Sequence, residues 1–174
     1  MTGSPLVGHP CLPYARLMTT TVSDLDAFSS FVGQHLGYSA WHRVDQDQVD
    51  LFADATGDHQ WIHVDVAAAA AGPFGGPIAH GYLTLSLAPM MLAEIFVVTG
   101  VAMGVNYGIN RLRFPAPVPV GSRLRAGAEL SGADRIAGGA QVTLGLTFEV
   151  EAATKPSCVA ELVFRYYEHG AGSR

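Results

Sequence analysis

Two different periods of apolar and polar positions run along this chain, and the change from one to the other divides it. Between Asp45 and Gly57 the inward positions Val49, Phe52, Ala53 and Thr56 follow the i, i+3, i+4, i+7 spacing of a helix packed on one side. Asp45 stands where a cap belongs, Gln48 completes a capping-box-like pair with it, and Gly57 supplies the left-handed residue that commonly stops a helix. Asp65 is placed to cap a second, short helix over 66–71, closed by Gly72. From Pro77 the pattern becomes nearly all apolar and predicts one long buried helix from 77 to about 98, since proline costs little in a first turn whose N–H has no partner. Pro89 should kink it. Past Val101 the period falls to two. Strands are expected over 105–114, 123–130, 141–151 and 158–167, broken by the turn-forming runs PAPVPVG, SGADRIAGG and TKPS. In TLGLTFEV the alternation puts Leu144, Leu146, Phe148 and Val150 on one face.

Upstream, residues 23–36 predict a short helix capped by Ser23 and ended by Gly37, with Phe28, Phe31 and Val32 toward one side and His35 in a structural role. Residues 39–44 read as a first strand with Trp41 directed to the core. Residues 1–21 carry Pro5, Pro10 and Pro13 without any period, which predicts a flexible extension in which Met18 is an alternative start; 169–174 read as a tail. A long apolar helix followed by long strands makes a single α+β domain over 22–168, a curved antiparallel sheet wrapped around a long central helix.

Composition narrows the function. In 174 residues, 49% hydrophobic side chains are ample for one core. A net charge of -5 with only 10 Lys plus Arg argues against a nucleic-acid surface. His80, Pro89 and Glu94 interrupt the apolar run, so it reads as a core helix and not a membrane span. Cys11 and Cys158 match no zinc or redox spacing, and the chain lacks a basic start followed by an apolar core, which points to a cytoplasmic protein.

Chemistry concentrates in residues 51–85, where Asp58, His63, His80 and a Gly-rich turn lie against the apolar run. On one continuous helix Asp58 and His63 would point about 140° apart, at roughly 100° per residue, so a shared site requires a bend, which Gly57 offers. Read by themselves, an Asp after a Gly is also a common turn residue, and a His among apolar neighbours a common structural one. No H-E-x-x-H spacing occurs and the Asp58–His63 pair shows no third ligand, so no metal is expected. GPFGGP lacks the Lys-Ser/Thr ending of a phosphate loop.

GDHQWIHVD, followed by GPIAHGYLTLSL, resembles the MaoC-like, R-specific enoyl-CoA hydratase family, whose motif runs G-D-x-N-P-[LIV]-H-x-[DE] with a downstream H-G. The resemblance covers about 41–167 and is nearest the NodN-like branch, with Gln60 and Trp61 in place of Asn-Pro. It implies a hotdog fold, a homodimer, and interconversion of trans-2-enoyl-CoA with (R)-3-hydroxyacyl-CoA. No metal or redox cofactor would be needed, CoA entering as part of the acyl-thioester substrate. Carried over residue by residue, it casts Asp58 and His63 as the acid/base pair and the Gly81 N–H as the donor to the thioester carbonyl. It casts His80, Ser86 and Gln60 as supporting or substrate-binding residues, and Arg111 and Arg113 as partners for a CoA phosphate. The family's Ser, eight residues past the Gly, is Pro89 here, leaving Ser86 or Gln60 to orient Asp58. Two alternatives stay open: an acyl-CoA thioesterase on the same fold, and a non-catalytic acyl-thioester-binding protein.

Overall fold

The computed structural model describes residues 19–170. In chain order its elements are β1 (Thr20–Val22), a 3₁₀ helix (Asp26–Phe31), β2 (His35–Tyr38), β3 (His42–Arg43), α1 (Gln46–Thr56), α2 (Trp61–Val64), α3 (Val66–Ala70), α4 (Gly81–Ser86), α5 (Ala88–Ile95), β4 (Phe96–Val98), β5 (Met103–Arg113), β6 (Arg123–Ile136), β7 (Gly139–Val150) and β8 (Cys158–Tyr167). The main sheet runs β2-β6-β7-β8-β5 with antiparallel pairing throughout, and β3 also pairs with β6.

Alternation along the three central strands builds the core. Leu144, Leu146 and Phe148 of β7 are fully buried, as the period-two pattern required. Across the sheet the register sets Ala126 and Cys158 beside Phe148, and Ala128 and Ala160 beside Leu146, so these two large side chains lie between small ones, while Leu144 lies between Leu130 and Leu162. Ala88, Met91, Leu92 and Ile95 of α5 close this layer from the concave side. Such packing places the helix, and the chain leading into it, at a fixed height over the sheet.

Several expectations need correction, and the first of these matters for the site. The central helix spans Gly81–Ile95 in two segments meeting at Leu87, not 77 to 98. Pro77 to Ala79 are extended because they pair across the chain: Ile78 bridges Pro119, Ala79 N–H donates to Val118 O at 2.8 Å, and Val120 N–H donates to Pro77 O at 2.9 Å. The break at Leu87 falls just before Pro89, which cannot donate to the turn behind it. At the far end Phe96–Val98 leaves the helix to pair in parallel with Thr20–Val22, so residues 20 and 21, expected in the flexible extension, belong to a strand; the rest of that extension up to residue 18 lies outside the described residues.

The helix expected over 23–36 is a single 3₁₀ segment capped by Asp24, whose carboxylate accepts from Asp26 N–H at 3.0 Å and Ala27 N–H at 2.9 Å, while Ser23 only donates to Asp24. His35 to Tyr38 instead join the sheet edge. Trp41 is half-buried, with the Arg125 guanidinium 4.6 Å from its ring, and does not enter the core.

Candidate active site

α1 forms as its sequence requires: Asp45 accepts from Gln48 N–H, and Gly57, at φ 76°, ends the helix with its N–H on Ala53 O. The chain then turns, and α2 and α3 follow at once, Asp65 capping α3 through Ala68 N–H at 2.9 Å. Trp61 anchors this turn. Its indole lies on Gly72, where a Cβ would come within 2.8 Å of the ring.

This bend brings together what a straight helix would separate. Asp58, His63 and His80 each place one polar side-chain atom within 4.8 Å of the others. Asp58 is exposed, whereas His63 and His80 are 6% and 2% exposed behind it. His63 Nδ1 lies 2.7 Å from Ile78 O. A carbonyl oxygen only accepts, so Nδ1 carries a proton, and Nε2 is left as the nitrogen available for transfer. His80 Nε2 lies 2.9 Å from the backbone oxygen of Asp58 and donates to it by the same reasoning. The two imidazoles stack with centroids 3.8 Å apart, and the Phe52 ring lies tilted against His80 at 5.1 Å.

His80 is thus the third potential ligand that sequence spacing did not reveal, because it lies on a different segment of chain. The stack nevertheless works against a shared ion: rings 3.8 Å apart and inclined by only 27° keep their lone pairs in nearly parallel planes, while a metal needs them to converge on one point.

A cavity of about 360 Å³ opens beside the pair, lined by His63, Gly81, Thr84, Phe74, Phe114 and Ser157 among others. Asp58 does not line it and reaches His63 from the exposed loop. Gly81 is the first residue of α4, in the turn whose N–H groups have no helical partner and carry the positive end of the dipole. Phe114 lies flat against it, so that a Cβ at Gly81 would meet the ring at 2.9 Å.

The other anticipated residues fall elsewhere. Ser86 donates to Tyr82 O at 2.7 Å and lines a separate cavity of about 510 Å³ between the central helix and β5, so it does not orient Asp58. Gln60 is exposed and meets the site only through its backbone oxygen, which accepts from His63 N–H at 2.9 Å. Arg111 and Arg113 are exposed on β5 on either side of the half-buried Leu112, and Arg113 donates to Leu112 O at 2.6 Å. Thr84 and Ser157, both 2% exposed, were not anticipated. Thr84 was legible as the residue one helical turn past His80, whose backbone oxygen it accompanies at 3.3 Å; nothing local marks Ser157.

Sheet, helix and the acid–imidazole pair beside the helix tip define a hotdog-fold protein. The MaoC like domain matches residues 27–152, and the chain belongs to that family. It is 52% identical over 147 residues to 3-hydroxyacyl-thioester dehydratase Z of Mycobacterium tuberculosis, covering 84% of this chain and 95% of that protein. Nodulation protein N of Rhizobium meliloti is 45% identical over 142 residues, 80% of this chain and 88% of its own. Among solved structures, R-hydratase PhaJ1 from Pseudomonas aeruginosa superposes with a TM-score of 0.64 at 26% identity, covering 79% of this chain and 82% of that one. Family and relatives together make the protein an enzyme of the hydratase and dehydratase class.

Proposed function

We propose that this enzyme interconverts a trans-2-enoyl thioester and the (R)-3-hydroxyacyl thioester, with coenzyme A as the carrier. The observation that carries the reading is the convergence of Asp58 and His63, within 4.8 Å of each other beside a cavity that also reaches Gly81. Hydration of the conjugated double bond needs a polarised carbonyl, an activated water and a proton delivered to C2. Water bound between the Asp58 carboxyl group and His63 Nε2 adds its oxygen to C3. The pair holds one transferable proton at the outset: its unprotonated member takes the water's proton, its protonated member supplies the C2 proton, and a proton passed between the two restores the starting state. The enolate oxygen that develops on the thioester is received by Gly81 N–H. The reverse sequence expels water from the hydroxyacyl thioester.

The (R) product and the thioester class are supported by what the relatives are called, a 3-hydroxyacyl-thioester dehydratase and an R-hydratase. The chemistry asks for no metal and no redox cofactor. Arg113, next to the cavity-lining Phe114, is the better placed of the two β5 arginines to meet a CoA phosphate. We also propose a cytoplasmic homodimer joined along β5. Among the described residues that edge strand pairs only with β8, and it exposes Met103, Tyr107 and Ile109, at 55%, 57% and 48%. Among the described residues no helix is long and apolar enough to cross a membrane.

The deciding experiment follows loss of enoyl absorbance with crotonyl-CoA and a longer enoyl-CoA, on the native protein and on Asp58→Asn, with a thiol reagent present in parallel. Absorbance loss without thiol release, absent from the variant, is expected. Release of free CoA in step with the signal would turn the assignment to thioester hydrolysis.

A further inference from the structure

One residue adjoins each part of the proposed machinery. His80 donates from Nε2 to the backbone oxygen of Asp58 at 2.9 Å, stacks on the His63 ring at 3.8 Å, and directly precedes Gly81 as the capping residue of α4. Its own backbone is held by the helix it begins, since His80 O accepts from Thr84 N–H at 3.1 Å. It is 2% exposed, and the Phe52 ring packs against it, tilted, at 5.1 Å. Neither residue expected to orient Asp58 does so: Ser86 faces another cavity, and the Gln60 side chain is exposed.

We propose that His80 is the positioning residue of this active site, fixing the Asp58 loop through the Nε2–carbonyl bond while its ring sets the plane of His63. The inference rests on the hydratase reading and adds to it a residue that acts without contacting the reacting atoms. Its physical basis is the unequal mobility of the pair. His63 is tied to Ile78 from within α2, whereas Asp58 sits on an exposed connection just past Gly57, where the neighbouring side-chain contacts are long and solvent-facing, 3.4 Å from Asp58 N to Thr56 Oγ1 and 3.7 Å from His59 Nε2 to Asp54 Oδ1. A carboxylate on such a loop keeps its distance from an imidazole only if the backbone beneath it is held. The bond from His80 runs to that backbone from across the site, with 22 positions of sequence between the two residues. Nδ1 of His80 is buried without a hydrogen-bond partner, so among the described contacts the ring's polar work is done by Nε2 alone.

The test separates a bond from a packing role by shape. Gln extends its amide nitrogen to about the reach of Nε2, Asn stops near the position of Nδ1, and Phe keeps the ring without any donor. Turnover of crotonyl-CoA is measured for His80→Gln, His80→Asn and His80→Phe, with melting temperatures alongside. His80→Gln is expected to keep kcat within about fivefold of the native enzyme, while His80→Asn and His80→Phe lose about 10- to 100-fold in kcat with KM changed less than about threefold. A packing role would reverse the order, with His80→Phe the most active, and that order overturns the proposal. Equal losses in His80→Gln and His80→Asn overturn it as well, and this comparison suffices if His80→Phe does not fold. Native protein without turnover would instead sink the hydratase reading, a result distinct from either of these.

Discussion

His63 Nδ1 meets the carbonyl oxygen of Ile78 at 2.7 Å, and this contact exists because the central helix starts later than its proline suggests. In a helix begun at Pro77, Ile78 O would accept from the N–H four residues on. Pairing of 77–79 with the distant segment 118–120 keeps that oxygen free and turns it to the imidazole. The same pairing therefore sets both the start of α4 at Gly81 and the tautomer of His63.

From this contact follows a difference between two variants that should be equally inactive. Asp58→Asn and His63→Ala are each expected to lower turnover by about 10²- to 10⁴-fold, the scale of a lost acid/base group. Their stabilities should part. His63→Ala leaves the oxygen of Ile78, a residue only 8% exposed, without its donor, at a cost of about 1–3 kcal/mol, whereas Asp58 is exposed and its amide form should be nearly neutral. Urea unfolding of both variants checks this; equal midpoints would mean that the His63–Ile78 bond contributes nothing to the fold.

Gly81 serves packing as well as chemistry. A methyl there would stand 2.9 Å from the Phe114 ring, which is 40% exposed and can swing outward toward Tyr82, its edge-on neighbour at 6.0 Å. Gly81→Ala should therefore cost only about 1 kcal/mol of stability, but the added methyl and displaced ring should close the cavity mouth and lower kcat/KM. Adding Phe114→Ala should restore the stability and not the activity, as read by melting temperature and crotonyl-CoA turnover. Activity restored along with stability would mean that Gly81 acts only through packing.

What the sequence showed and what it hid divide by range. Asp45, Gly57 and Asp65 act on their own neighbours, and the two caps and the αL stop stand where the pattern put them. Likewise 158–167 matches β8, because a short apolar run set off by the TKPS turn leaves a strand few other choices. The failures lie where distant segments compete for the backbone. Pro77 looks like a helix start until Val120 N–H claims its oxygen, and Phe96 to Val98 look helical until Thr20 to Val22 pair with them. Within the site, Asp58 and His63 were legible as a motif, whereas the role of His80 depends on a bond across the bend, and the Ile78 oxygen is a backbone atom that no residue type marks.

Trp61 stands where the family motif has proline, and it holds the bend by contact with Gly72. A Cβ at Gly72 would reach the indole at 2.8 Å, also approaching the backbone oxygen of Ala69 at 3.2 Å. Gly72→Ala should push the half-exposed indole outward and loosen the segment that carries His63. In a Trp41→Phe background, where Trp61 is the sole indole, emission should shift to the red and turnover should fall by about tenfold, roughly a 1.4 kcal/mol loss in transition-state stabilisation. An unchanged spectrum would show that the indole does not rest on Gly72 in solution.

At alkaline pH the fold should weaken for a reason found in β8. Burial pushes the Cys158 thiol from its ordinary 9.0 up to about 12, and burial likewise pushes the Tyr166 phenol from 10.0 to about 12. Both groups hold their protons more tightly when folded. Their contributions are thus complete below the unfolded values and are lost as pH rises through the folded ones, which places the decline between about pH 9 and 12. Cys158 removes at most about 1.4 kcal/mol per pH unit from about pH 9, and Tyr166 at most the same from about pH 10. Urea midpoints of the native protein should fall steadily above pH 9, and Cys158→Ala with Tyr166→Phe should flatten the slope, even though the small void left by the first change lowers the starting value. In a Cys11→Ser background the folded protein should also resist thiol reagents near neutral pH, reacting only once denatured, since Cys158 is fully buried and its thiolate is suppressed. A slope unaltered in the double variant would place the alkaline loss in other groups.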